Sequence, residues 1–272
     1  MEILHTRFND QGVSESIGFM LIFAIVIAGI GLVTLYGYPL LLQQQVGADE
    51  KIMEKNMIVL QNDIKSLAYK TVPFKETSLK IGGGSLTVYN SSYTPASSSI
   101  NISDSTTQYV NLFTPGELRY ESVSAQTDIS LQNGAVVMRP RISPGSVMLS
   151  EPRWFYDANT NTMVINLIKI TSSSLMAKEG IGTVQMTLGE TNYTPPTTVS
   201  SPLTFVYTPG SQDYSIAWDT YFMKTLNNPP AISVVRSGTP GTGLPLTYTL
   251  TLSGSTPMTL VIKKYEVQIK NI

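Results

Sequence analysis

Hydrophobic and polar positions change rhythm three times along this 272-residue chain. From Ile17 to Leu42 no charged residue occurs, and about 20 apolar residues are enough to cross a bilayer as a helix. The run is apolar on every side, whereas the core helix of a soluble domain shows one apolar stripe. It is also longer than the roughly 7 to 15 residues of a secretory signal core, which disfavours a conventional cleaved signal peptide. The pattern predicts a transmembrane helix over 17–42. Within it Ala24, Ala28 and Gly31 step by four and three residues, so one face is small enough for another helix to approach, although small residues are common in membrane helices generally. Pro39 lacks a backbone N–H and predicts a kink or a locally unwound stretch.

Between residues 46 and 70 charged residues appear and the apolar positions become periodic. Met53, Met57, Leu60, Ile64 and Leu67 step by four and three, which makes one apolar stripe on a continuing helix. Pro73 marks its end, because the residue before a proline is biased away from helical geometry. The stripe has two readings, packing on the chain's own downstream domain or packing on neighbouring helices.

After residue 73 short apolar alternations separated by Ser, Thr, Asn and Gly predict many strands. Candidates are Leu86–Tyr89, Glu117–Val123, Thr162–Ile168, Leu246–Leu252 and Thr259–Ile262. Asp128–Met138 reads as a hairpin turning at Asn133-Gly134, and Arg153–Ile170 as another turning at 157–161. One helical island is expected after a Ser211 cap, with Tyr214, Trp218, Tyr221 and Phe222 on a core-facing side. The segments Asn90–Ser99 and Tyr193–Pro202 read as exposed loops. The expected fold class is α+β: a long N-terminal, transmembrane α-helix followed by a mainly antiparallel β-sandwich-like head.

Composition narrows the chemistry. A net charge of −1 with 14% charged residues gives no basic footprint for nucleic acid. There is no cysteine, and His5 is the one histidine, so thiolate chemistry and zinc sites lack their parts. Gly82-Gly83-Gly84 is not followed by the Lys-Ser or Lys-Thr of a phosphate loop. Asp157, Asn159 and Asn161 begin like a calcium loop, but Thr162 and Ile168 stand where glycine and glutamate are needed, leaving an Asx-rich turn. No helix-spaced acidic pair stands apart from Glu50 and Glu54 in the charged juxtamembrane stretch, and a hydrolase built on two distant carboxylates has no visible support. The expectation is a protein that is not an enzyme and has no cofactor and no metal. Asn90, Asn101 and Asn192 begin Asn-x-Ser/Thr acceptors for N-glycosylation, a number that chance also produces in a Ser/Thr-rich chain. Basic residues flanking the apolar run, Arg7 against Lys51 and Lys55, do not fix its orientation.

The stretch Gln11-Gly12-Val13-Ser14-Glu15-Ser16-Ile17-Gly18, running directly into the apolar segment, resembles archaeal type IV pilin-like and archaellin-like precursors with a class III signal peptide. Gln132–Met138 and Ser150–Tyr156 are similar to segments of larger archaeal pilin-like membrane proteins with β-rich heads. The resemblance implies a leader peptide at 1–12, cut between Gly12 and Val13 by a prepilin peptidase. It also implies an N-terminal pilin-like helix at 13–72, with its transmembrane part at 17–42, and an extracellular head at 73–272. Glu15 would be the early acid that meets the new amino terminus of a neighbouring subunit, or else lies among lipid head groups. Loss of the leader leaves a formally neutral subunit.

Two functions follow as expectations. One is a cell-surface structural or adhesion subunit, inserted in the membrane and assembled with pilin-like subunits through Glu15, Ala24, Ala28 and Gly31 into a filament. The other is a membrane-anchored monomer whose extracellular head binds an envelope polysaccharide or surface layer. Neither involves nucleic acid.

Overall fold

A computed structural model describes residues 10–70, 72–91, 98–199, 202–227, 232–252 and 257–272, with side chains from Glu15 onward. Most of the leader, and residues 92–97 and 200–201 of the two expected loops, lie outside the described residues. The chain divides between Ala48 and Asp49 into two bodies. The first is helical: α1 (Asp10–Leu32), a π-helical turn (Val33–Gly37) and the opening of α2 (Tyr38–Lys70). Its apolar side chains stand in the open, Phe19 at 72% and Leu35 at 71% exposure. One helix, Glu15–Lys70, is long and apolar enough to cross a membrane.

Pro39 does not end the helix but follows a locally altered stretch, as its sequence position suggested. The turn just ahead of it widens, with the Tyr38 N–H donating to the Val33 carbonyl five residues back. A proline ring crowds the preceding turn and cannot donate to it; one wider turn relieves the crowding while the helix continues. Thr34 donates its hydroxyl to the Ile30 carbonyl at 2.8 Å, so this polar group is satisfied within the helix itself.

The second body begins with the rest of α2. Met53, Met57, Leu60, Ile64 and Leu67 have no exposed surface. They pack on the chain's own head, which selects the intramolecular reading of the stripe.

Fourteen strands follow among the described residues: β1 (Phe74–Tyr89), β2 (Ser99–Ser103), β3 (Gln108–Phe113), β4 (Glu117–Ser122), β5 (Thr127–Gln132), β6 (Ala135–Pro140) and β7 (Val147–Ser150). The second half comprises β8 (Phe155–Asp157), β9 (Thr162–Ser172), β10 (Met176–Val199), β11 (Leu203–Thr208), β12 (Ile232–Ser237), β13 (Leu246–Leu252) and β14 (Met258–Asn271), with α3 (Ser215–Tyr221) between β11 and β12. A nine-stranded sheet has the order β7-β6-β5-β4-β1-β10-β14-β9-β8, and a five-stranded sheet the order β12-β13-β11-β2-β3. Pairing is antiparallel except between β14 and β9.

Alternation along the central strands explains how one sheet serves two cores. In β14, Met258, Leu260 and Ile262 face the five-stranded sheet and α3, whereas Tyr265, Val267 and Ile269 face α2. In β9, Met163, Ile165 and Leu167 take the first side and Ile168 and Ile170 the second. Successive side chains point to opposite faces, so the sheet is buried on one face toward one end of these strands and on the other face toward the other end. The outcome is α+β, an apolar helix followed by a sheet-on-sheet head of mainly antiparallel strands.

The predicted hairpins form. Asn133 and Gly134 adopt positive φ, 47° and 72°, as a tight two-residue turn needs. Asn161, closing the 157–161 turn, also has positive φ, at 48°. Leu86–Tyr89 and Thr259–Ile262 are parts of longer strands. The aromatic island is core: Trp218 and Phe222 have no exposed surface. Its start is set differently from expectation. Asp213, two residues ahead, accepts the Ser215 N–H at 2.8 Å, and Tyr214, not Ser211, stands at the N-cap position. The structure also corrects Tyr193–Val199, which belong to β10 instead of a loop. Pro195 and Pro196 sit where the β10–β14 register shifts between Thr194 and Thr197, a break where missing donors leave no ladder position empty.

The β2–β3 turn carries a titratable marker. Asp104 accepts N–H bonds from Thr106 and Thr107 and the Tyr109 hydroxyl. These donors, Thr106 first, hold its carboxyl down at about 2. The folded value lies below the unfolded one of about 3.9, so its stabilisation is present above that pH and is lost as pH falls through about 2. A carboxyl carbon NMR titration should show this midpoint, and Tyr109→Phe should move it upward.

Candidate assembly helix and head groove

Glu15 is exposed at the start of the apolar run. Ala24 and Ala28 are exposed and Gly31 is half-exposed on the same helix, and the space around Gly31 is open to at least 4 Å. Their spacing within the unbroken α1 puts the three on one side, free to receive another helix. Gly12 and Val13 fall inside the backbone of α1, which is described from Asp10 onward; their side chains lie outside the described residues.

The three glycosylation acceptors differ. The Asn90 amide donates to the Ser172 carbonyl at 2.7 Å in a half-buried position. Asn101 is half-buried in β2, and its side-chain oxygen accepts the Leu112 N–H at 2.5 Å. Asn192 is exposed on β10, opposite Lys264 of β14. Of the three, Asn192 presents its amide most openly.

Gly82-Gly83-Gly84 serve the fold. Added side-chain carbons would collide with the Asp49 carboxylate at Gly82 and with the Glu121 carbonyl at Gly84, while Gly83 has φ of 66°. The Tyr120 hydroxyl donates to the Gly82 carbonyl, and the strand irregularity of β1 falls between Ile81 and Leu86. Glycine is needed here for close approach of α2 and β4. Asp157 makes the expected local turn, accepting the Asn159 N–H at 3.0 Å and the Thr160 hydroxyl at 2.8 Å. Among the described residues no group of three or more His, Asp and Glu side chains could hold a metal.

The head has an open groove of about 550 Å³ between the last turns of α2 and the segment Glu151–Arg153. A recess of about 240 Å³ adjoins it, and the two share Tyr69 and Arg153. The Arg153 guanidinium lies 4.8 Å from the centre of the Tyr69 ring, and Tyr69 meets Tyr265 edge-on at 5.5 Å. Lys65 borders the groove, and burial, then the charge of Arg153, lower its ammonium from the usual range. Burial raises the Tyr69 and Tyr265 phenols. Trp154, between Arg153 and Phe155, points the other way into the core, where its N–H donates to the Asn166 carbonyl at 2.7 Å. The sequence signal was partial: Arg153 and Phe155 lie in the singled-out segment Ser150–Tyr156, whereas Lys65, Tyr69, Lys263 and Tyr265 come from distant segments that only folding unites.

A family model described as a family of unknown function, DUF7289, matches residues 11–241, most of the chain. No curated protein matches the chain, and no solved structure does.

Proposed function

The chain belongs to the DUF7289 family, whose function is unknown, and we propose that it is a pilin-like cell-surface subunit, held in the membrane by its N-terminal helix and assembled through it. One observation carries this reading. The first part of a single helical run exposes apolar side chains on every side, and its last part is the core of a head domain. Such a run suits a subunit that is anchored first and packed among copies later.

Assembly, rather than catalysis, is the mechanism. A prepilin peptidase cuts between Gly12 and Val13, freeing an amine two residues before Glu15. A carboxylate at the edge of an apolar helix costs free energy unless it is neutralised, and a neighbouring subunit's new amine supplies the opposite charge. The face of Ala24, Ala28 and Gly31 lets helices approach closely. The head then faces outward from the cell membrane, alone or along a filament, and Asn192 is the acceptor best placed for a glycan.

Amino-terminal sequencing of protein made in a host with the peptidase should begin at Val13; an intact Met1 overturns the processed-pilin reading. Glu15→Ala should reduce incorporation into filaments, scored by electron microscopy, at least several-fold while membrane insertion is unchanged. A membrane-anchored monomer would instead show no dependence on Glu15.

A further inference from the structure

The head groove gathers charge that the rest of the chain neutralises. Lys65, Lys70, Arg153 and Lys263 line it and its adjoining recess, against one carboxylate, Glu151. Among the described residues none of these four cations is ion-paired, whereas Arg119, Arg141 and Arg236 each hold a carboxylate. The whole chain carries only −1, so the concentration is not a by-product of basic composition.

Aromatic surface accompanies the charge. Phe155 is 43% and Tyr193 53% exposed, Lys263 stands 5.7 Å from the centre of the Tyr193 ring, and Tyr69 forms part of both cavities. Exposed rings beside unpaired cations suit a ligand that has apolar faces and negative charge together. Sugar rings offer C–H faces to aromatic side chains, and their carboxylate or sulfate substituents match the planar fork of arginine. Asn62 and Ser66 on the groove wall suit the remaining hydroxyls. A flexible acidic peptide would satisfy the cations but make little use of the rings.

We propose that this groove binds an acidic polysaccharide, with Arg153, Lys65 and Lys263 meeting its carboxylate or sulfate groups and the exposed rings of Phe155 and Tyr193 stacking on its sugars. The proposal deepens the surface-subunit reading, on which its cellular setting rests. Binding by the purified chain is independent of cleavage after Gly12, so failure of one is separable from failure of the other.

The test uses the full chain in uncharged detergent, titrated calorimetrically with oligouronates and with a sulfated glycan. Dextran, polyglutamate and anionic lipid vesicles serve as comparators. At least one acidic glycan should bind at least tenfold more tightly than every comparator, and the binding should weaken with added salt because the charges are solvent-facing. Arg153→Gln should lower that affinity at least tenfold in a chain that still folds, since the Arg153 carbonyl still accepts the Asn166 amide while the guanidinium contact with the Tyr69 ring is lost. Lys65→Gln gives a second reading should Arg153→Gln fail to fold. Equal affinity of the folded variants and the parent overturns the proposal. So does equal or tighter binding of dextran, polyglutamate or anionic vesicles.

Discussion

Trp218→Ala is expected to destabilise the head by about 3–5 kcal/mol, the range for removing a large buried aromatic side chain. Trp218 has no exposed surface, and its ring lies 5.7 Å from Tyr207, 5.9 Å from Phe222, and 6.0 Å from both Trp154 and Tyr221. Phe222 in turn lies 4.5 Å from Tyr248 with the rings tilted, so the cluster joins α3 to the five-stranded sheet and, through Trp154, to the segment leading into β8. Rings held from several elements cannot all collapse into the vacated volume, which keeps the cavity cost high. Urea unfolding followed by circular dichroism should show a lower midpoint, and the melting temperature should fall by on the order of 10 °C. Trp218→Phe, which keeps one ring in place, should cost markedly less. An alanine variant as stable as the parent would mean that the aromatic island is not part of the core between α3 and the five-stranded sheet.

Arg119→Met is expected to cost about 3–5 kcal/mol near neutral pH, because it strands a buried carboxylate. The Arg119 side chain is 4% exposed; it pairs with Glu117, reaches Glu121 at 3.2 Å and lies 4.3 Å over the Tyr89 ring. Glu117, buried on β4, also accepts the Ser130 hydroxyl. Burial already raises the Glu117 carboxyl above the usual range while Arg119 pulls it down, so loss of the guanidinium removes that opposing pull. A carboxyl whose folded value is raised stabilises fully below its unfolded value, about 4.3, and loses that contribution as pH rises through the folded value. The deficit of Arg119→Met relative to the parent should therefore shrink on acidification. Adding Glu117→Gln should recover much of it at pH 7, a double-mutant cycle that isolates the pair.

The long-range order of this protein was less legible than its local elements. The helix, its Met53–Leu67 stripe and the turn at Asn133-Gly134 all announce themselves through spacing or backbone chemistry carried by neighbouring residues. The extent of β10 does not. Pro195 and Pro196 read as loop residues until a break in register accommodates them. Gln61 was equally hidden, a polar residue beside the apolar stripe. Its amide donates to the Gly134 and Glu151 carbonyls at 2.7 and 3.1 Å, and its side-chain oxygen accepts the Ser150 hydroxyl at 2.6 Å. Only folding brings those partners, more than seventy residues away, to it. For the proposed site, Arg153 and Phe155 sat in a segment already conspicuous, but Lys65, Tyr69 and Lys263 gain meaning from proximity that no short-range pattern encodes. The positions proposed for assembly, Glu15, Ala24, Ala28 and Gly31, lie on one helix, so their spacing needs no long-range contact to be seen.

The seating of α2 on the nine-stranded sheet has a mechanical consequence. Tension applied along the packed part of α2 would load Met53, Met57, Leu60, Ile64 and Leu67 together, with the three hydrogen bonds of Gln61, because one helix carries them all. Contacts loaded in parallel resist together instead of peeling one after another, so this joint is suited to bearing force.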